Sequence, residues 1–351
     1  MKGVIYMLGI SVYAGLEVSL EKNLNLLETA NDYGIKTVFT SLHIPEANER
    51  VYLELKDILK RAKELDMQVI ADVSKGFINK YNLKEFDIYA LRLDFGFTIH
   101  EVASYTKNYP FKIQINGSTI TRDYLQQLEG LKANFNNIEV GHNYYPRRDT
   151  GLSYELFLDR NKVFKDYGLR IMAFIPSRCG KRGPIYDGLP TLECHRDMDP
   201  MITAQHLLHS GVDIVVTGDA YISEEEINRL SKIRKNVYSL PFKAFNLSEG
   251  EKRILSGIHT NRMDPGEFLI RSQEARSKKN LPIIKKNTIE RKKYSITIDN
   301  EGYFRYEGEL QIMKKNFEAD KRVNVVGDAS EAAILIDLIK PGDAFALIFD
   351  S

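Results

Sequence analysis

From residue 1 to about residue 235 the chain repeats one pattern eight times: a short β-branched or aliphatic run, then a longer run with helical spacing. The short runs are VIYMLGI from Val4, IKTVFT from Ile35, QVIADV from Gln68, DIYALRLD from Asp87, FKIQIN from Phe111, NIEVGHN from Asn137, LRIMAFI from Leu169 and VDIVVTGD from Val212. Their apolar residues are nearly continuous. That texture predicts parallel strands covered on both faces, since a strand with one face in water would alternate.

The segments between them predict helices. In ERVYLELKDILKRAKELD, Val51, Leu55, Ile58, Leu59 and Ala62 recur three or four residues apart, which puts them on one face. Ser19, Thr121 and Ser223 stand where N-caps are wanted, and Gly34, Gly168 and Gly211 follow helical runs where a left-handed residue ends a helix. The third helix, GFINKYNLKEF, is short and weakly patterned. Eight strand–helix units in this length predict a (β/α)8 TIM barrel, an α/β fold with its chemistry at the C-terminal ends of the strands. A doubly wound open sheet is the rival, but no G-x-G-x-x-G follows the first strand.

After about residue 236 the rhythm changes. VYSLPFKAF, YSITID, YFRYEGELQIM, RVNVVGD and AFALIFD read as strands among turn-rich segments, with one helix in EAAILIDLI. The expected domains are therefore a catalytic barrel over 1–236 and a smaller mostly-β domain over 237–351, large enough for a core of its own.

Composition narrows the function. The 351 residues carry 49 basic and 48 acidic side chains for a net charge of +1, which offers no field for nucleic acid; the basic run IIKKNTIERKK reads as a solvated loop or edge. No apolar tract is long enough for a membrane span. The two cysteines, Cys179 and Cys194, lack metal-site spacing. The first strand begins too early for a signal peptide, so a cytoplasmic location is expected. No pattern in the chain specifies an oligomeric state, and no cofactor is implied.

On an eight-stranded barrel the strand ends gather distant polar residues at one mouth. His43 and Glu46 follow the second strand, Asp72 ends the third, Asp94 the fourth, Asn116 the fifth, His142, Asn143 and Tyr144 the sixth, and Asp219 the eighth. Glu46, Asp72 and Asp94 on neighbouring strands suit glycoside hydrolysis, in which one carboxyl protonates the leaving oxygen and another stabilises the oxocarbenium-like centre or activates water. Asp219 stands in reserve. The competing reading of each acid is structural, and Asp94 in particular is placed to pair with Arg92 on the same strand face. No H-E-x-x-H or strand H-x-H is present, and no lysine lies at a strand end for Schiff-base chemistry.

Two long loops add cations. PSRCGKRGPIYDGLPTLECHR after the seventh strand carries Arg178, Lys181, Arg182, Glu193 and Arg196, and PRRDTGLS after the sixth carries Arg147 and Arg148. Loops of this length on a compact barrel are commonly lids or binding loops, and arginine forks fit phosphate or carboxylate oxygens; the competing reading is a salt-bridged structural loop. In the second domain Arg271 lies in HTNRMDPGEFLIRSQEAR, ahead of the main strand series, as a substrate contact or a solubilising residue.

Laid out in this way, the chain resembles the bacterial 6-phospho-N-acetylmuramidase family. The likeness rests on GISVYAG, TSLHIPE, ADVS, LRLDFGF, VGHNYYPRRDTGLS, RGPIYDGLPTLECHR, TGDAYIS, NRMDPGEFLIRS, GELQI and RVNVVGD, which span nearly the whole chain. The resemblance implies a (β/α)8 barrel followed by a cyclophilin-like β-barrel domain. It also implies an intracellular glycosidase that splits the disaccharide of N-acetylmuramic acid 6-phosphate and N-acetylglucosamine during peptidoglycan recycling. Such a substrate, with its phosphate and lactyl carboxylate, accounts for the cations, and Arg178, Arg182, Arg147 and Arg271 are the first candidates to hold it. His43, Asn116, His142, Asn143 and Glu193 complete the expected contacts. A phosphosugar isomerase or lyase, and a non-catalytic phosphosugar-binding protein, are the alternative functions the same rim admits.

Overall fold

In a computed structural model that describes residues 7–42, 49–80, 86–234 and 236–349, the chain divides into two compact units, Met1–Lys232 and Ile233–Ser351. The first is a closed parallel barrel of β1 (Met7–Ser11), β2 (Thr37–Ser41), β3 (Gln68–Val73), β4 (Ala90–Leu93), β5 (Lys112–Asn116), β6 (Ile138–Gly141), β7 (Arg170–Ile175) and β8 (Ile214–Thr217). The helices after them are α1 (Leu20–Asp32), α2 (Glu49–Glu64), α3 (Lys75–Lys80), α4 (Ile99–Asn108), α5 (Arg122–Gly130), α6 (Tyr154–Asp166), α7 (Pro200–His209) and α8 (Glu224–Ser231).

The local signals act as expected. Ser19, Thr121 and Ser223 each accept a hydrogen bond from the first turn of their helix, and Ser223 forms a full capping box with Glu226. Gly34, Gly168 and Gly211 adopt φ of 76°, 68° and 88°, the left-handed region where a β-carbon is penalised. On α2 the buried stripe is Leu55, Ile58, Leu59 and Ala62. The weakly patterned third helix is a six-residue piece.

The barrel interior is divided by chemistry. Tyr13, Phe39, Ile70, Ala90, Met172, Phe174, Ile214, Val216 and Ala220 form one apolar cluster, in which Phe39 and Phe174 meet edge to face at 4.9 Å. From β2 to β7 a second row is polar. Ser41 pairs in register with Asp72, Asp72 with Arg92, Arg92 with Gln114, Gln114 with Glu139, and Glu139 with Arg170. Cross-strand partners point to the same face, so these six side chains share one face of the sheet. Because barrel strands are tilted, a row of register partners descends as it circles. It starts at the last residue of β2 and ends at the first residue of β7.

The second unit contains β9 (Val237–Pro241), β10 (Lys243–Ala244), α9 (Glu249–Leu255), β11 (Ile258–Thr260), β12 (Leu269–Arg271), α10 (Ala275–Lys278), β13 (Ser295–Asp299), β14 (Leu310–Met313), β15 (Val323–Asp328), α11 (Ala333–Ile336) and β16 (Ala344–Ile348). One sheet has the order β10-β15-β13-β14-β12 and the other β11-β16-β9. Ile270, Ile296, Ile298, Leu310 and Ile312 supply a buried apolar face to the larger sheet. Two expectations are corrected here. The YFRYEG stretch is a 3-10 turn over Glu301–Tyr306 rather than strand, and the segment around Arg271 is itself a strand, pairing antiparallel with β14. Neither β11 nor β12 is long enough to show a periodic signal.

Buried histidines make the first unit acid-sensitive. Burial pushes His142 and His206 down to about 4 from an ordinary 6.5, and pushes His195, against His206, well below it. A depressed folded-state value means that the neutral ring's contribution is complete above about pH 6.5 and is lost as pH falls toward about 4. Thermal melting followed through that window should therefore show a steady decline, and a His142→Gln protein should show a shallower one.

Candidate active site

The polar row reaches the barrel mouth at Asp72 and Arg92. Arg92 is buried and its Nη1 lies 2.8 Å from Asp72 Oδ1 and 3.8 Å from Asp94 Oδ1, while its Nη2 donates to Asn143 Oδ1 at 2.5 Å. Arg92 thus gathers groups from β3, β4 and the end of β6 around one guanidinium. The pairing expected between Arg92 and Asp94 exists, but it is the looser of the two. Asp72 takes the close contact because it stands directly across the ladder from Arg92.

Below the mouth, Gln114 Nε2 donates to Glu139 Oε2 at 3.1 Å, Tyr89 donates its hydroxyl to Glu139 Oε1, and Arg170 Nη1 reaches both Tyr89 and Glu139. Gly141 makes the row possible. A β-carbon there would lie 2.9 Å from Gln114 Oε1, 3.1 Å from Met172 Cε and 3.4 Å from Arg92 Nε. Gln114 and Glu139 were not foreseen as part of the site. Their signal was present as polar residues at alternate positions in otherwise apolar strands, Gln114 two before Asn116 and Glu139 two before Gly141.

Past the ends of β1 and β6, Arg182 lies against two aromatic rings. Its guanidinium is 4.6 Å from the Tyr13 ring centroid and 4.9 Å from that of Tyr144, and Nη2 donates to the Tyr144 hydroxyl at 3.0 Å. Tyr13 is fixed by donating to the Gly218 carbonyl at 2.9 Å, and burial raises its phenol above the ordinary range. Tyr144 rests edge-on against Phe174 at 5.1 Å. Arg182 is held here by ring faces and hydroxyls, with no ion pair to a carboxylate among the described residues.

The other expected contacts divide sharply. Asp219 is buried; Oδ2 accepts from the Ser177 amide at 2.8 Å and Oδ1 from the Arg182 amide at 3.1 Å, and burial raises its carboxyl against these bonds. It ties down the loop that carries Arg182. Glu193 is held from several sides. Arg196 grips both its oxygens at 2.6 Å, the Asp149 and Gly151 amides donate to them, and the carboxyl is held down at about 2, first by Arg196. Arg196 in turn donates to the carbonyls of Tyr145, Arg147 and Gly188, clamping the two long loops together.

His142 points away from the mouth: it is fully buried, bonded through Nε2 to Asn161 on α6 at 2.8 Å and packed on Phe157. It follows Gly141, whose β-carbon position faces the barrel interior, and so faces the helices. Asn116 Oδ1 caps the turn at Ser118. Arg178 is half exposed and 3.8 Å from Asp199, which is itself held by Arg229. Arg147 is exposed. Arg271, in the second unit, is bonded to Glu309 at 2.6 Å. His43 and Glu46 lie outside the described residues. Among the described residues no cluster of three or more His, Cys, Asp or Glu is arranged to hold a metal ion, and no helix is long and apolar enough to cross a membrane.

The family described as 6-phospho-N-acetylmuramidase, N-terminal, matches residues 8–232, and its C-terminal counterpart matches residues 240–348. Two solved structures are similar throughout. An uncharacterized B. cereus protein is 33% identical over 98% of this chain and 99% of its own, with a TM-score of 0.86. A conserved Enterococcus faecalis protein of unknown function is 32% identical over 98% of this chain and 97% of its own, with a TM-score of 0.80. No curated protein matches.

The tight space around Gly141 gives a direct test. A Gly141→Ala protein should lose roughly 1–3 kcal/mol in urea unfolding, the ordinary cost of overpacking a core. Its activity should fall as well, because the atom it displaces most, Gln114 Oε1, belongs to the residue directly across the ladder from Arg92.

Proposed function

The chain belongs to the 6-phospho-N-acetylmuramidase family, a family of glycosidases, and from that membership we propose that it hydrolyses the disaccharide of N-acetylmuramic acid 6-phosphate and N-acetylglucosamine to the two monosaccharides. The observation that carries the proposal is Arg182, a cation held at the mouth by two tyrosine rings without a carboxylate partner among the described residues. A guanidinium in that state is free to take the phosphate or lactyl carboxylate of the substrate. Arg147 and Arg178 on the same rim are the further candidates for the second anion.

Asp72 and Asp94 divide the chemistry. To carry a proton Asp72 would have to break its close pair with Arg92, so it suits the role that meets positive charge at the anomeric carbon. Asp94, half exposed and more loosely held, suits proton transfer to the leaving oxygen, with Glu46 the remaining member of the set. Both acids reach the same Arg92 nitrogen, which limits their nearest oxygens to about 6.6 Å apart. That admits the roughly 5–5.5 Å of retaining pairs and falls at the lower edge of the roughly 6.5–9.5 Å of inverting ones. The reading accordingly favours retention, through Asp72 or through the substrate's own N-acetyl group. Asn143, which shares the Arg92 contact, is our candidate to meet the sugar. We read the setting as cytoplasmic peptidoglycan recycling and the second unit as cyclophilin-like, without prolyl isomerase chemistry.

The test is to incubate the protein with phosphorylated and unphosphorylated disaccharide and follow the anomeric signals by NMR. Free N-acetylglucosamine from the phosphorylated compound alone is expected; an isomerised or dehydrated monosaccharide would instead mark a lyase or isomerase. Asp72→Asn and Asp94→Asn should each lower kcat by about 100-fold or more, whereas Arg182→Ala should mainly raise KM by about 10-fold or more, the cost of a lost charge-assisted contact. Full activity in both aspartate variants would sink the assignment.

A further inference from the structure

The larger sheet of the second unit has a polar face that is also buried. Arg271, Gln311 and Thr297 are cross-strand partners on β12, β14 and β13. Glu309 and Asp299 stand two residues away from Gln311 and Thr297, and so share that face. Thr297, Asp299 and Glu309 are all at most 5% exposed, and both Thr297 Oγ1 and Glu309 Oε2 are buried without a hydrogen-bond partner. Such a face costs free energy that an apolar one would not.

The rim of this face is equally unusual. Glu309 Oε1 holds Arg271 through Nε at 2.7 Å and Nη2 at 2.6 Å, and Glu309 Oε2 lies 3.8 Å from Arg276 Nε. Arg276 and Arg305 both stack on Tyr306, at 5.7 and 4.9 Å from its ring centroid. Two residues before Tyr306, Phe304 adopts φ 51° and ψ −114°. Glycine adopts that conformation readily, but a β-carbon disfavours it. Phe304 is 85% exposed, so no packing offsets the strain.

Strain of this kind persists where the surrounding structure imposes it, most often around binding sites. We propose that Arg271, Arg276, Arg305, Tyr306 and Phe304 form a binding site for an anionic sugar, a pyranose bearing a phosphate or a carboxylate. The charge balance selects an anion. Arg271 and Arg276 both meet Glu309, Arg305 beside them has no ion pair among the described residues, and burial, with Glu309 beside it, pushes Asp299 up to about 7, which disfavours a second negative charge there. Glu309 fixes the direction of the two arginines from behind while leaving their outer N–H groups for the ligand. Tyr306 holds the guanidiniums of Arg276 and Arg305, and Phe304, 85% exposed, presents the aromatic face on which the C–H face of a sugar ring packs.

The inference does not depend on the barrel chemistry. If the disaccharide were not cleaved, the site would still stand, and the two are read by different experiments. The full chain is titrated calorimetrically with N-acetylglucosamine 6-phosphate, N-acetylmuramic acid and uncharged N-acetylglucosamine, in wild type and in an Arg182→Ala background. The phosphate or the carboxylate sugar should bind in both backgrounds, whichever is tighter naming the anion, with the uncharged sugar weaker by about tenfold or more. Arg276→Ala, at an exposed position, should weaken binding by a similar factor. Phe304→Gly should melt at a higher temperature and yet bind more weakly, a pair of opposite signs that a purely structural residue does not produce. The proposal is overturned if neither anionic sugar binds, if Arg276→Ala and Phe304→Gly bind like wild type, or if Arg182→Ala alone abolishes binding.

Discussion

The mouth of the barrel is organised by one buried guanidinium. Arg92 sits where the sheet ladder brings Asp72 directly alongside, and it binds Asp72, Asp94 and Asn143 at once. A buried cation is costly without partners, and removing one member of such a pair typically costs about 3–5 kcal/mol. The acids of the site are therefore held in position by the same requirement that keeps the barrel interior electrically satisfied. The row below it, through Gln114 and Glu139 to Arg170, continues that requirement to the far end of the barrel. Gly141 leaves the space in which it runs.

The rim shows how cations are allocated. Arg148 is taken by Asp187 and Asp197, Arg196 by Glu193 and four carbonyls, and Arg271 by Glu309. These pairs hold loops and sheets together. Arg182 differs because its neighbours are aromatic: they hold a guanidinium in place through their π faces while leaving its charge available. Asp219 contributes at one remove, fixing the backbone of the loop on which Arg182 stands.

Much of this was legible in the residues. The eight apolar runs, the caps at Ser19, Thr121 and Ser223 and the left-handed glycines depend on local spacing and local backbone energetics, which a chain carries wherever it is read. Asp72, Asp94 and Asn143 were legible as strand-end residues for the same reason. Arg182 was legible as a loop cation, though not distinguishable from Arg148 or Arg196 beside it. The direction of His142 was not legible, because a polar residue just past a strand end faces either the mouth or the helices, and only register separates the two.

By itself, then, the sequence determined the eightfold strand–helix order, the helix limits and the set of polar residues near one end of the barrel, because periodicity and capping are interactions between near neighbours. The tertiary structure alone decided which carboxylates are spent on loops and which face the mouth, that Arg182 is held by aromatic rings and not by a carboxylate among the described residues, and that Gln114 and Glu139 lie in one row with Arg92. Those outcomes are set by strand register and barrel tilt, which bring together side chains separated by 20 to 51 positions and which no local pattern encodes.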